Sequence, residues 1–278
     1  MADVKTAAKK PQGSKAGAPK KANDLMKNFL VIVLLITIAE LIFHVIFGSA
    51  SNFKDAEMHT PANLMGTMYQ GGWVVPILMS TFLVLLYFVI ERGLTVFKAK
   101  GKVNGGEFVR RVQYHLANKN IDAAKAECDK QAGSVGNVMR NGLNKYEEMI
   151  KDTELETEQK IASIQKEIEE ATALELPILE KNMVFLSTIA SVATLIGLFG
   201  TVLGMIRAFS AMAEAGAPDG AALAAGISEA LINTALGIGT SAIAIIAYNF
   251  YTTIIDNITF GIDESGFTLT QNFASNYK

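Results

Sequence analysis

Apolar residues gather into four long runs, at residues 29–47, 73–97, 183–212 and 223–255, and polar residues fill the stretches between them. Each run is about as long as a helix must be to cross a bilayer, or longer. The pattern predicts an all-α integral membrane protein with four transmembrane helices, the last two joined by a short turn at 213–222. Between residues 98 and 182 the pattern becomes amphipathic. Phe108, Val112 and Leu116, then Ile121 and Ala124, mark short helices separated by Asn118-Lys119-Asn120 and by the segment from Gly133 to Gly136. Farther on, Ile150, Ile161, Ile164, Ile168 and Ala171 are spaced for one helical stripe. No break precedes Pro177, so this helix is expected to run into the third span with at most a bend there. Long helices would then extend from the membrane into the cytoplasm.

The third and fourth runs are not plain lipid-facing spans. Ser187, Thr194, Gly197, Thr201 and Gly204 recur at helical spacing along one face, as do Ala230, Thr234, Gly237 and Ser241. Gly200 and Gly204 also form a GxxxG pair. Small residues let helix backbones approach closely, and hydroxyls hydrogen-bond across helices where no water competes. One reading is therefore a helix-packing face made by Gly197, Gly200, Gly204 and Gly237. The other places Thr201 and Thr234 on a partly hydrated path for an ion, with Ser241 as a secondary candidate. Both hold together if the helices line a ring.

Charge assigns the sides. Residues 1–28 are rich in lysine and have little to bury, so they are expected to be disordered and cytoplasmic. Glu91, Arg92, Lys98, Lys100 and Lys102 follow the second run and return the chain to the cytoplasm. The loop 48–72 carries one lysine, Lys54, and the turn 213–222 has no basic residue, which suits the periplasmic side. Trp73 would anchor the second span at the interface, with Pro76 tolerated in its first turn. Both termini are then cytoplasmic, with 98–182 a cytoplasmic helical domain and 256–278 a short tail bearing Asp256, Asp263 and Glu264. A cleaved signal ending near Gly48-Ser49-Ala50 is the rival for the first run. Its apolar core exceeds the usual signal length, which favours a retained span.

Reactive side chains are few. Cys128 is the single cysteine, and His44, His59 and His115 are scattered, so neither a disulfide nor a conventional zinc site is expected. GLFGTVLG and GIGTS lack the lysine and the strand–loop–helix setting of a phosphate cradle. No Ser/His/Asp set can be argued, and no basic patch is interleaved with aromatics. An enzyme, a bound cofactor or metal, and a nucleic-acid partner are all unexpected. Glu40 and His44 lie one turn apart inside the first span. Such a pair is often functional at membrane depth, although a local hydrogen bond that neutralises both groups is the simpler account. Glu229 sits near the start of the fourth span and Arg207 near the end of the third. Glu229 could serve an ion path or merely favour the helix dipole. Threonine does not titrate near neutral pH, so a titrating carboxylate within the spans would have to come from another helix.

GLFGTVLGM around Thr201 and GISEALINTALGIGTSAIAIIAYN around Thr234 resemble the signature of the MotA/TolQ/ExbB proton-channel family, most closely its ExbB-type members. Both halves occur in order and at hairpin spacing, and the likeness covers residue 183 to about residue 254. Where many members have Ala-Pro before this run, the chain has Ala193-Thr194, leaving no proline to kink the start of the span. The resemblance implies a multi-pass protein of the bacterial inner membrane that converts the proton motive force into mechanical work. It implies a homopentameric ring around an ExbD/TolR-like single-span partner with an intramembrane Asp, and output through a TonB-like protein to outer-membrane transport. Thr201, Thr234 and Glu229 would line the ion path. Small family members have three spans, so 29–47 resembles an added N-terminal helix. A Tol-type envelope subunit, a flagellar stator and a passive membrane scaffold are the alternatives.

Overall fold

The computed structural model of the protein describes residues 20–55, 60–214 and 220–277. Helix α1 covers Lys20–Leu41 and continues as a wider π-type turn, Ile42–Phe47. Next come α2, Leu64–Tyr69, and α3, Val74–Lys100. Four helices of mixed charge follow: α4, Gly105–Ala117; α5, Ile121–Gln131; α6, Ser134–Lys151; and α7, Thr157–Glu180. The chain ends in α8, Met183–Glu214, and α9, Gly220–Asn276. Among the described residues, four helical stretches are long and apolar enough to cross a membrane.

The α8–α9 hairpin is the most extensive contact in the molecule, with α3 packed on both of its helices and α1 packed outside α3. Trp73, Arg207 and Glu229 mark one end of this bundle, and Lys98 and Lys100 the other. At 1.5 Å per residue, the 57 residues of α9 reach about 85 Å. Its second half leaves the bundle and enters a lobe built with α4, α6 and α7. There Ile258, Ile262, Leu269 and Phe273 are buried against Phe108, Val112, Val138, Leu143 and Ile164. Residues 256–276 are thus a helical strut of the lobe, where a short tail was expected.

Three more expectations change. Residues 1–19 of the stretch expected to be disordered lie outside the described residues, but 20–28 are helical. The Asn28 amide donates to Asn182 Oδ1 at 3.2 Å, which gives this end of α1 a partner on the hairpin. The stripe from Ile150 to Ala171 is two helices, not one. Asp152 Oδ1 accepts from the backbone N–H groups of Glu154 and Leu155, and Glu156 with Gln159 forms a capping box that starts α7. These backbone donors hold the Asp152 carboxyl below its usual range. Finally, Pro177 lies inside α7, and the helix breaks later, at Lys181–Asn182. Asn182 takes φ +63°, a left-handed conformation that asparagine tolerates better than most residues.

Arg92, one of the basic residues that follow the second run, is buried. Its side chain is 1% exposed. It pairs with the Glu91 carboxylate at 2.6 and 2.7 Å and reaches the Leu179 carbonyl, one of the last groups of α7. Asn182 donates to the same Glu91 carboxylate. A buried guanidinium needs such partners to offset its desolvation. One cluster thereby ties α1, α3, α7 and α8 together at the lysine-rich end. Close by, buried Gln131 fastens the lobe to α3: its amide donates to the Lys100 carbonyl, and its own oxygen accepts from Gly133 and Gly136.

Candidate functional site

The hairpin places small residues inward and large ones outward. A side-chain carbon on Gly197 would fall 2.8 Å from the Asn233 carbonyl, and one on Gly237 would fall 2.8 Å from the Gly197 Cα. Gly200 faces Asn233 and Gly204 faces Ala230 at similarly short range. All four glycines marked as packing residues thus lie where α8 and α9 touch. Leu195, Leu198, Phe199, Val202 and Ile206 point away from this contact.

That close approach decides the position of the hydroxyls. Thr201 and Thr234 are half-buried, and their Oγ1 atoms hydrogen-bond to each other across the two helices. Thr201 also reaches the carbonyls of Gly197 (3.1 Å) and Ala230 (3.3 Å), and Thr234 reaches Ala230 (3.2 Å). A pair of hydroxyls can orient water or a carboxyl group in either protonation state, each donating in one direction and accepting in another. Ser241 is buried farther along, donating to the Ala190 carbonyl across the hairpin.

Five residues before Thr234, Glu229 is 7% exposed and forms an ion pair with Arg207 of α8. The sequence showed both residues near the same end but not that they meet. Asn233 went unnoticed. It is fully buried one turn after Glu229, and its amide donates at 3.0 Å to the carbonyl of Gly71, just before α3. Its Oδ1 has no hydrogen-bond partner among the described residues. An Asn beside Thr234 in an apolar run was the available signal. Glu40 and His44 lie on α1, 3.5 Å apart, away from the hydroxyl pair.

This geometry defines a multi-pass helical membrane protein built on a small-residue hairpin with a hydroxyl pair and a neighbouring ion pair. Residues 130–264 match the MotA/TolQ/ExbB proton channel family. The matched part holds Thr201, Arg207, Glu229, Asn233 and Thr234, whereas α1 and α3 lie outside it. The chain is similar to the Tol-Pal system protein TolQ of Haemophilus influenzae, 47% identical over 75 residues, 27% of this chain and 33% of the relative. TolQ of Pseudomonas aeruginosa is 32% identical over 127 residues, 43% of this chain and 55% of the relative. The biopolymer transport protein ExbB of Salmonella typhimurium is 37% identical over 67 residues, 24% of this chain and 28% of the relative. The matched stretches therefore span from 28% to 55% of these curated relatives.

Proposed function

We propose that the chain is a ring-forming subunit of a proton-driven motor in the bacterial inner membrane, with TonB-dependent transport across the outer membrane as its output. The observation that carries this reading is the Thr201–Thr234 hydroxyl pair, half-buried on the hairpin, with Glu229 five residues before Thr234. Neither hydroxyl titrates, so the proton carrier at this level is a carboxylic acid on a single-span partner of the ExbD/TolR type, threaded through a pentamer of this chain. The threonines hold that acid both with and without its proton. Glu229 exchanges the proton and leaves Arg207 when it is neutralised. The lysine-rich end faces the cytoplasm and the Trp73 end the periplasm. Moving one charge through 100 mV releases about 2.3 kcal/mol, enough in successive steps to bias the position of the ring against the partner helix.

A Tol-type envelope role is the second reading, favoured by the two TolQ relatives. Deleting the gene separates the outputs: a TonB-type subunit supports uptake through the outer membrane, and a Tol-type subunit supports resistance to detergent. Thr201→Val and Thr234→Val keep the side-chain shape and remove the hydroxyls. Each variant should accumulate normally and lose at least about tenfold in proton-driven output, in line with the 10²–10³ typical of losing one preorganised hydrogen-bonding group. Wild-type output from both variants would refute the ion-path role.

A further inference from the structure

Outside the family segment, α1 carries two ionisable side chains in its apolar run, Glu40 and His44. They are in contact with each other, and both remain substantially exposed on the helix. The backbone around His44 is unusual. Residues Ile42–Phe47 form a π-type turn in which the Gly48 N–H reaches the Phe43 carbonyl at 3.0 Å. Such turns concentrate at functional sites. Phe43 fixes this one in place, buried and stacked on Tyr69 of α2 with ring centroids 4.9 Å apart.

The pair opens into a cleft of about 410 Å³ whose other walls include Tyr69, Gly72, Trp73 and Pro76. That is room for a chain of several waters. Gly72 is a wall residue that also abuts the hairpin. Its φ of +73° favours glycine, and a side-chain carbon there would fall 2.5 Å from Glu229 Oε1 and 3.0 Å from Arg207 Nη1. The bare Cα of Gly72 is therefore what separates the cleft from the second ion pair. Behind it stands Asn233, anchored on Gly71 with its Oδ1 unpartnered, and then Thr234.

We propose that Glu40 and His44 form a proton-exchange site that supplies Glu229 past Gly72. The imidazole takes a proton from hydronium at the mouth of the cleft and leaves water. The proton passes by way of Glu40 and water to the Glu229 carboxylate, which becomes a neutral acid and releases Arg207, while His44 returns to its neutral form. Around the pair, α2 presents Tyr69, Trp73 just before α3 and Pro76 and Ile77 within it bring no charge, and α8 and α9 present Arg207 and Glu229 beyond Gly72.

The proposal rests on the proton-driven reading, and its test has two arms that fail separately. In the first, full-length chain in lipid nanodiscs is titrated by NMR of its histidine side chains. Glu40→Gln and Glu229→Gln should each change the pH response of the His44 ring signals, because the proposed exchange couples the imidazole to both carboxylates. In the second, proton-driven output is followed against external pH in cells carrying the chain with its genetic neighbours. His44→Gln and Glu40→Gln should match wild type at acid pH and fall about tenfold above the range where histidine titrates, with Glu40→Asp restoring the profile. Glu229→Gln should be inactive throughout. A His44 titration indifferent to Glu229→Gln, or unchanged pH profiles for both cleft variants, overturns the exchange site. Full output from Glu229→Gln with the titration coupling intact instead overturns the place of Glu229 in the motor's proton path and leaves the exchange between the two pairs standing.

Discussion

The hairpin and the lobe solve the same packing problem in opposite ways. In the lobe, large residues face inward: Phe108, Leu116, Met139, Leu143, Ile164 and Phe273 are almost fully buried, and lysines and glutamates cover the outside. In the hairpin, Gly197, Gly204, Ala230, Gly237 and Ala244 face inward, and leucines, isoleucines and phenylalanines face outward. The hydrophobic effect explains the first arrangement, since apolar area leaves water when the lobe closes. It cannot explain the second, because lipid is as apolar as leucine. There, close backbone contact and interhelical hydrogen bonds hold the helices. Side-chain volume therefore stabilises one region and would separate the other, although α9 runs through both.

Three perturbations can break or sharpen that contrast. The largest effect is expected from Gly237→Leu, whose new side chain meets the Ala193 carbonyl at 2.7 Å and the Gly197 Cα at 2.8 Å, backbone atoms that cannot rotate away. It should part the hairpin, disrupt the Thr201–Thr234 bond and abolish both output and the protease resistance of the membrane fragment. Gly239→Leu is the control, because a side chain there meets nothing within 4 Å in the single chain. If Gly237→Leu behaves like Gly239→Leu, the small-residue contact is not what holds α8 to α9.

Phe273→Ala comes next. It empties the lobe core beside Tyr146, whose ring lies edge-on at 5.0 Å, and should cost about 3–5 kcal/mol of lobe stability. Denaturant unfolding of the detergent-solubilised chain would show this as a shifted lobe transition, with the membrane hairpin still protected from protease. Equal loss of both regions would mean that the two halves of α9 unfold as one unit.

The smallest effect concerns surface charge on the lobe. Lys125 and Lys151 both donate to Glu147 at 2.6 Å and pull its carboxyl down from 4.5 to about 2. A folded-state value below the unfolded one adds stability above the ordinary carboxylate range, and that increment is lost as pH falls toward the folded value. Glu147→Gln should therefore unfold the lobe slightly earlier than wild type at neutral pH, with the gap closing below pH 4.5. An exposed pair contributes little, so the gap is small throughout. A gap that widened on acidification would contradict the assigned direction.

Much of the plan was legible from periodicity. Four apolar runs marked the spans, and the stripes containing Thr201 and Thr234 marked the faces that meet, because helical spacing is a local property of the chain. Even the lobe strut had a signal, since Ile255, Ile258, Ile262, Leu269 and Phe273 share one face. Its acidic residues gave the appearance of a solvated tail, because an apolar stripe reveals its partner only once α4, α6 and α7 are assembled. The break at Asn182 was hidden for a related reason: Asn28 and Glu91, which hold its side chain, lie on α1 and α3.

What the sequence determined alone was the helical class, the presence of four long apolar helices and the residue types that meet at the hairpin. Tertiary structure decided which polar groups are joined. The Arg207–Glu229 pair depends on the register of the hairpin, and the place of Gly72 between that pair and Glu40–His44 depends on how α3 packs against α1, α8 and α9. Register between distant segments follows from the simultaneous fit of many side chains, and no local pattern encodes it.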